Sequence, residues 1–153
     1  MQKKKTSHPI TIFTIGFTRK TAETFFGKLK RAGVVKVVDT RLNNESQLAG
    51  FSKKEDLKYF LRAILSIEYM HAMEFAPTDE ILSAYKKKKM TWSEYEEHFR
   101  AMISGRKIEN VLTQRELDRS CLLCSEAEPD HCHRRLVAEY LKSKWPDVEI
   151  RHL

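Results

Sequence analysis

Cysteine is scarce in this chain. Three occur in 153 residues, an odd number without framework spacing, which argues against a disulfide scaffold and agrees with a reducing compartment. Any cysteine function is then that of a thiol, a thiolate or a metal ligand. No apolar run approaches the roughly 18 residues of a membrane span, and the opening MQKKKTSHPITIF lacks the apolar core of a secretory signal. These absences predict an intracellular, cytoplasmic protein without a membrane partner. Internal repeats, low-complexity tracts and a proline-rich linker are also missing. One domain is therefore expected: residues 1–9 form a basic tail, and 10–153 a single α/β domain.

What is present fits that size. Hydrophobic residues make up 41% and charged residues 32%, a globular balance that can bury roughly two-thirds of the unfolded surface. The net charge of +7 favours a polyanionic partner through Coulomb attraction and counterion release. Two basic blocks, Lys3–Lys5 and Lys86–Lys89, fall in the tail and at a helix end, where lysines also offset the helix dipole.

ITIFTIG (10–16) is a β-branched and aromatic run closed by glycine, which predicts a buried strand. The next segment has a Thr21 cap, apolar Phe25, Phe26 and Leu29 near helical spacing, and a Gly33 stop. Residues 34–39 predict a second strand. Ser52 with Glu55 three residues on is the capping-box pattern, opening a helix whose face is Leu57, Phe60, Leu61 and Ile64. Residues 67–71 predict a third strand, 78–119 a helical insertion, 121–126 a fourth strand, then a helix, and VEIRHL a closing strand. Alternating elements with continuous apolar strands imply a three-layer α/β domain, a mostly parallel sheet flanked by helices.

In such sheets ligands gather at the carboxyl ends of the strands. The chemically suggestive residues fall there: Gly16 and Arg19 at the end of the first strand, Asp39 and Arg41 at the end of the second, Tyr69 and His71 ending the third, Cys124 and Glu126 ending the fourth. Cys121 and Cys124 form C-x-x-C, but an odd separation on a strand puts them on opposite faces. Cys121 is therefore expected to pack as a small hydrophobe. Asp130 is the predicted N-cap of the last helix, with His131, Cys132 and His133 as its first turn. Helical phase aims His133 at the sheet and Arg135 at solvent.

A helix N-terminus lowers a thiol pKa and binds anions, so Cys132 is a candidate nucleophile. His133 is a candidate acid or base. Glu126 serves as a proton-transfer carboxylate or pairs with Arg134. Asp39 and Arg41 either form a structural ion pair or free Arg41 to grip an anion, with Arg19 and Arg134 completing a cationic rim. A zinc set of Cys124, Cys132 and His133 is the alternative, although adjacent Cys132 and His133 need divergent side chains to reach one ion. Trp92, Tyr95, Phe99 and Met102 recur at helical spacing and are expected in the core rather than on a base-stacking surface.

TIGF, VVDTR, IEYMH and above all LLCSEAEPDHCHRRLVAEYL followed by VEIRHL resemble the domain of unknown function 488 family, from about Thr11 to the end. The resemblance implies a small α/β protein whose shared positions map onto Gly16, Asp39, Arg41, Ser46, Tyr69, His71, Cys124, Glu126, Cys132, His133 and Arg134. The family commonly carries His-Ser where this chain has Phe17-Thr18, and Leu-Gly where it has EFAPT (74–78). The combined expectation is an enzyme acting on a nucleotide, nucleic acid or other phosphate-bearing substrate. Cys132, His133 and Glu126 would be catalytic, and Asp39, Arg41, Arg134, His71, Cys124 and Gly16 would bind substrate or anion, with no cofactor. A non-catalytic nucleic-acid or anion-binding module competes with it.

Overall fold

The computed structural model describes residues 9–45 and 50–153; the Lys3–Lys5 block and Ser46 lie outside them. Strands β1 (Ile10–Gly16), β2 (Lys36–Asp39), β3 (Glu68–His71), β4 (Ser120–Cys124) and β5 (Val148–His152) form an all-parallel sheet in the order β3-β2-β4-β1-β5. Their apolar runs alternate between two cores. Ile12, Val38 and Leu122 face one, beneath helices α4 (Trp92–Arg106) and α6 (His133–Lys144). Phe13, Ile15, Val37, Cys121 and Leu123 face the other, beneath α1 (Ala22–Ala32) and α2 (Lys54–Phe60). Cys121 is a packed hydrophobe, as strand parity predicts.

The helices follow their caps. Thr21 accepts from the Thr24 N–H to open α1, and Gly33, at φ 73°, closes it in the left-handed region where glycine is unstrained. The insertion divides into α3 (Asp79–Lys86), α4 and α5 (Gln114–Leu117), opened by Thr78, Thr91 and Thr113, the last two with full capping boxes.

Three local expectations are corrected. Ser52 is not the N-cap residue: it is buried in a 3-10 turn over Gly50–Ser52, and Lys53 precedes the first residue of α2. Ile64 is 56% exposed, because α2 ends in a wider π-turn over Leu61–Leu65 that shifts the helical phase. The N-cap of α6 is Cys132, not Asp130, and its side chain makes no capping bond. A tight turn, with the Cys132 N–H donating to the Pro129 carbonyl, carries the loop on before the helix starts.

The strand order locates the ligand edge. From β2 the chain leaves toward β3, across the face bearing α2. From adjacent β4 it leaves toward β5, across the face bearing α6. The crevice between the carboxyl ends of β2 and β4 is thus the topological switch point.

Candidate functional site

Thr40, the residue after β2, anchors this crevice. Its N–H and Oγ1 both donate to the Leu123 carbonyl of β4, at 3.0 and 2.7 Å. Its own carbonyl lies 2.7 Å from His133 Nε2. A carbonyl only accepts, so Nε2 carries the ring proton, and the Nδ1 lone pair turns to Cys124 Sγ, 3.5 Å away. The tilted Phe99 ring, 5.5 Å between centroids, packs beside the imidazole.

Cys132 completes the group. Its extended backbone (φ −136°, ψ 136°) precedes the first helical residue, His133, so neighbouring side chains leave the chain in different directions and converge. The ligand-type atoms of Cys124, Cys132 and His133 all lie within 4.8 Å of one another. The lowering of a thiol pKa expected at Cys132 falls on Cys124 instead. The Cys132 thiol donates to Cys124, and this bond outweighs burial to hold the Cys124 pKa below the usual thiol range, with the Arg134 charge and the Glu126 and Ser125 N–H groups assisting. Burial, then the bond to Cys124, pushes Cys132 up.

Arg41 and Asp39 form a buried ion pair. Arg41 Nε and Nη2 donate to Asp39 Oδ1 and Oδ2, each at 2.8 Å, and the Arg41 N–H returns to Oδ1. The Tyr69 hydroxyl donates to the same carboxylate. Burial alone would raise Asp39; the Arg41 and Tyr69 bonds overcome it and leave the carboxyl below its usual range. The guanidinium carbon sits 5.3 Å from the centroid of the Phe17 ring, so Phe17 supports Arg41 through its ring face. Among the described residues, Arg41 Nη1 is buried with no hydrogen-bond partner.

Other candidates stand behind the crevice rather than in its lining. Arg134 is fully buried, with Nη1 on the Glu126 carbonyl (2.6 Å), Nη2 on the Ala127 carbonyl and Nε near Thr14 Oγ1. It is a strut that fixes the loop after β4, and it bonds the backbone of Glu126 rather than its carboxylate. Gly16 leaves room for that loop: a Cβ there would stand 1.6 Å from the Glu126 oxygen. His71 holds the Arg41 carbonyl through Nε2 at 2.7 Å. Arg19 is exposed beside α1, so no cationic rim forms from Arg19 and Arg134. Arg135 does not point free into solvent; it bonds the Pro129 and Asp130 carbonyls and Glu139.

Above the three reactive side chains opens a cleft of about 420 Å³, bounded by Arg41, exposed Glu126, Trp92, Tyr85 and His131. Trp92 stacks on both His131 and Tyr95 at 5.1 Å. The sequence reading missed this wall, taking Trp92 and Tyr95 as core alone. It also missed Thr40, whose side chain strand parity directs opposite to Asp39 and Arg41, toward α6. A larger apolar groove of about 670 Å³ beside Phe26, Phe51 and Phe60 contains none of the reactive groups.

No curated protein and no solved structure matches the chain. A family model described as Domain of unknown function DUF488 matches residues 21–141, which run from the cap of α1 through the Cys-His corner into α6. The chain therefore belongs to the DUF488 family.

Proposed function

We propose that the protein is an enzyme acting on a nucleotide or another phosphate-bearing small molecule in the cleft between β2 and β4. Arg41 Nη1 carries this reading. A buried guanidinium donor without an acceptor costs about 1–3 kcal/mol or more, and Arg41 borders the same cleft as the three reactive side chains. An anionic substrate oxygen supplies the acceptor in a charge-assisted bond. The net charge of +7 favours the approach of such a ligand. Trp92, Tyr85 and His131 line the cleft with aromatic rings, and stacking on such rings contributes about 1–3 kcal/mol per base.

Chemistry falls to the floor of the cleft. Cys124 has His133 Nδ1 as its own proton acceptor and Cys132 as a hydrogen-bond donor, the pairing that activates a thiol. Glu126, exposed at the mouth, is the carboxylate assigned to proton transfer.

The test uses Trp145→Phe, which leaves Trp92 as the single indole. Adenosine monophosphate, uridine monophosphate, inorganic phosphate and adenosine are titrated against its fluorescence, and phosphorus NMR follows turnover of the nucleotides. Saturable quenching by both monophosphates is expected, with adenosine weaker by about tenfold, or 1.4 kcal/mol. Cys124→Ser should retain the quenching and lose turnover. Binding without turnover would reduce the protein to an anion-binding module, and no saturable response at low salt would remove the phosphate reading altogether.

A further inference from the structure

We infer that Cys124, Cys132 and His133 bind one zinc ion, with its fourth position turned to the cleft. The inference rests on the reading of this cleft as a substrate site and narrows its chemistry. Bond lengths of about 2.3 Å to sulfur and about 2.0–2.1 Å to nitrogen at a tetrahedral angle place the two ligand atoms about 3.5 Å apart. Cys124 Sγ and His133 Nδ1 are 3.5 Å apart, and Cys132 Sγ lies within 4.8 Å of both. A small rotation of one cysteine side chain closes the set.

The imidazole is prepared for this role. A zinc-bound histidine donates its other ring N–H to a carbonyl or carboxylate, which fixes the tautomer, and the Thr40 carbonyl accepts from Nε2. Thr40 is in turn held by two bonds to Leu123, so the acceptor sits on the sheet rather than on a loose loop. All three ligands are at least nine-tenths buried, Cys124 at 5%, Cys132 at 2% and His133 at 7% exposure, and all three border the cleft. Tyr95 and Phe99 supply the apolar shell.

Two thiolates and one imidazole select zinc over magnesium, calcium or manganese, which favour oxygen ligands. Among the described residues no fourth His, Cys, Asp or Glu joins the group. Three protein ligands with the remaining position facing a cleft is the arrangement of catalytic rather than structural zinc. A bound ion takes the thiolate electron pairs that would otherwise attack substrate, so zinc would replace thiol attack with Lewis-acid chemistry on the anionic group. This gives Arg41 and the metal one shared ligand.

The full chain is reduced, stripped with chelator and titrated with zinc, and separately with cobalt as a spectroscopic probe. One zinc per chain is expected, as is a near-ultraviolet thiolate-to-cobalt band with intense visible bands of a tetrahedral site. Cys124→Ser and Cys132→Ser should each weaken zinc affinity by about 100-fold or more and diminish the charge-transfer band. Cys121→Ala, on the opposite face, should change neither, with circular dichroism confirming that every variant is folded. Substoichiometric zinc, a cobalt spectrum indifferent to the two serine variants, or a Cys124–Cys132 disulfide that persists in place of metal would overturn the inference. Nucleotide titration of stripped and loaded protein separates the two proposals: binding to metal-free protein that never takes zinc sinks the metal alone, whereas stoichiometric zinc with no nucleotide response sinks the substrate reading alone.

Discussion

Asp39 and Arg41 bring opposite charges to 0% and 2% exposure, and their value lies in not being separated. Removing one partner of a buried pair strands the other charge. Asp39→Asn is therefore expected to cost about 3–5 kcal/mol, read as a lower urea midpoint. The pH dependence follows from the direction of the shift. The folded pKa of Asp39 is depressed below an unfolded value of about 3.9, so the pair's stability is fully present above that value. It is lost as pH falls through the folded pKa. The stability difference between wild type and Asp39→Asn should hold from neutrality to about pH 5 and shrink below about pH 4; a constant gap down to pH 2 would show that the carboxylate is not the stabilising group. Gly16 is the other decisive position. A Cβ 1.6 Å from the Glu126 carbonyl cannot be absorbed by a side-chain movement, since the obstacle is backbone. Gly16→Ala should cost about 3 kcal/mol and loosen the Arg134 bonds to Glu126 and Ala127, detectable as faster amide exchange over 125–127. An unchanged exchange pattern would refute the close approach.

At the scale of elements, α4 brings Trp92, Tyr95 and Phe99 to the cleft and core together, so its N-terminus controls both. Thr91 and Glu94 form a reciprocal capping box. Thr91→Ala should lower stability by about 1 kcal/mol, measured in denaturant, and weaken nucleotide quenching of Trp92; a stability loss without any change in quenching would detach the cap from the site. What was legible in the sequence divides along this line. Caps that act on their own helix, such as Thr21 and Gly33, were readable, because both partners lie within one turn. The Ser52 pattern misled because the adjoining 3-10 turn, set by packing, claims the residue first. The convergence of Cys132 and His133 was hidden for a related reason: helical phase aims a side chain only once the helix has begun, and the helix begins one residue after Cys132. The lowered thiol is Cys124, at the end of β4, because the Cys132 thiol donates to it.

For the whole molecule, alternation of elements and strand parity were enough to predict a parallel sheet and the edge where reactive residues collect. The strand order was not readable, since the placement of β4 between β2 and β1 depends on contacts across the entire chain. That order makes the β2–β4 crevice the candidate site and leaves the end of β3, with His71, beside it. It also determines how the net charge of +7 acts. A cleft of about 420 Å³ matches a small ligand, and its charged lining is Arg41, paired with Asp39, together with Lys86 and Glu126, rather than a stripe along a groove. Counterion release scales with the phosphates neutralised, with a slope of log K against log salt of about −0.7 per phosphate on a single strand. A mononucleotide should therefore bind with a slope of about −1 or shallower, and single-stranded RNA should bind no more steeply if it engages only through a terminal nucleotide. Fluorescence titrations across a range of potassium chloride measure both slopes. A slope of about −3 or steeper for the polymer, with displacement of the mononucleotide, would move the substrate class from nucleotides to nucleic acid while leaving the cleft as the place of reaction.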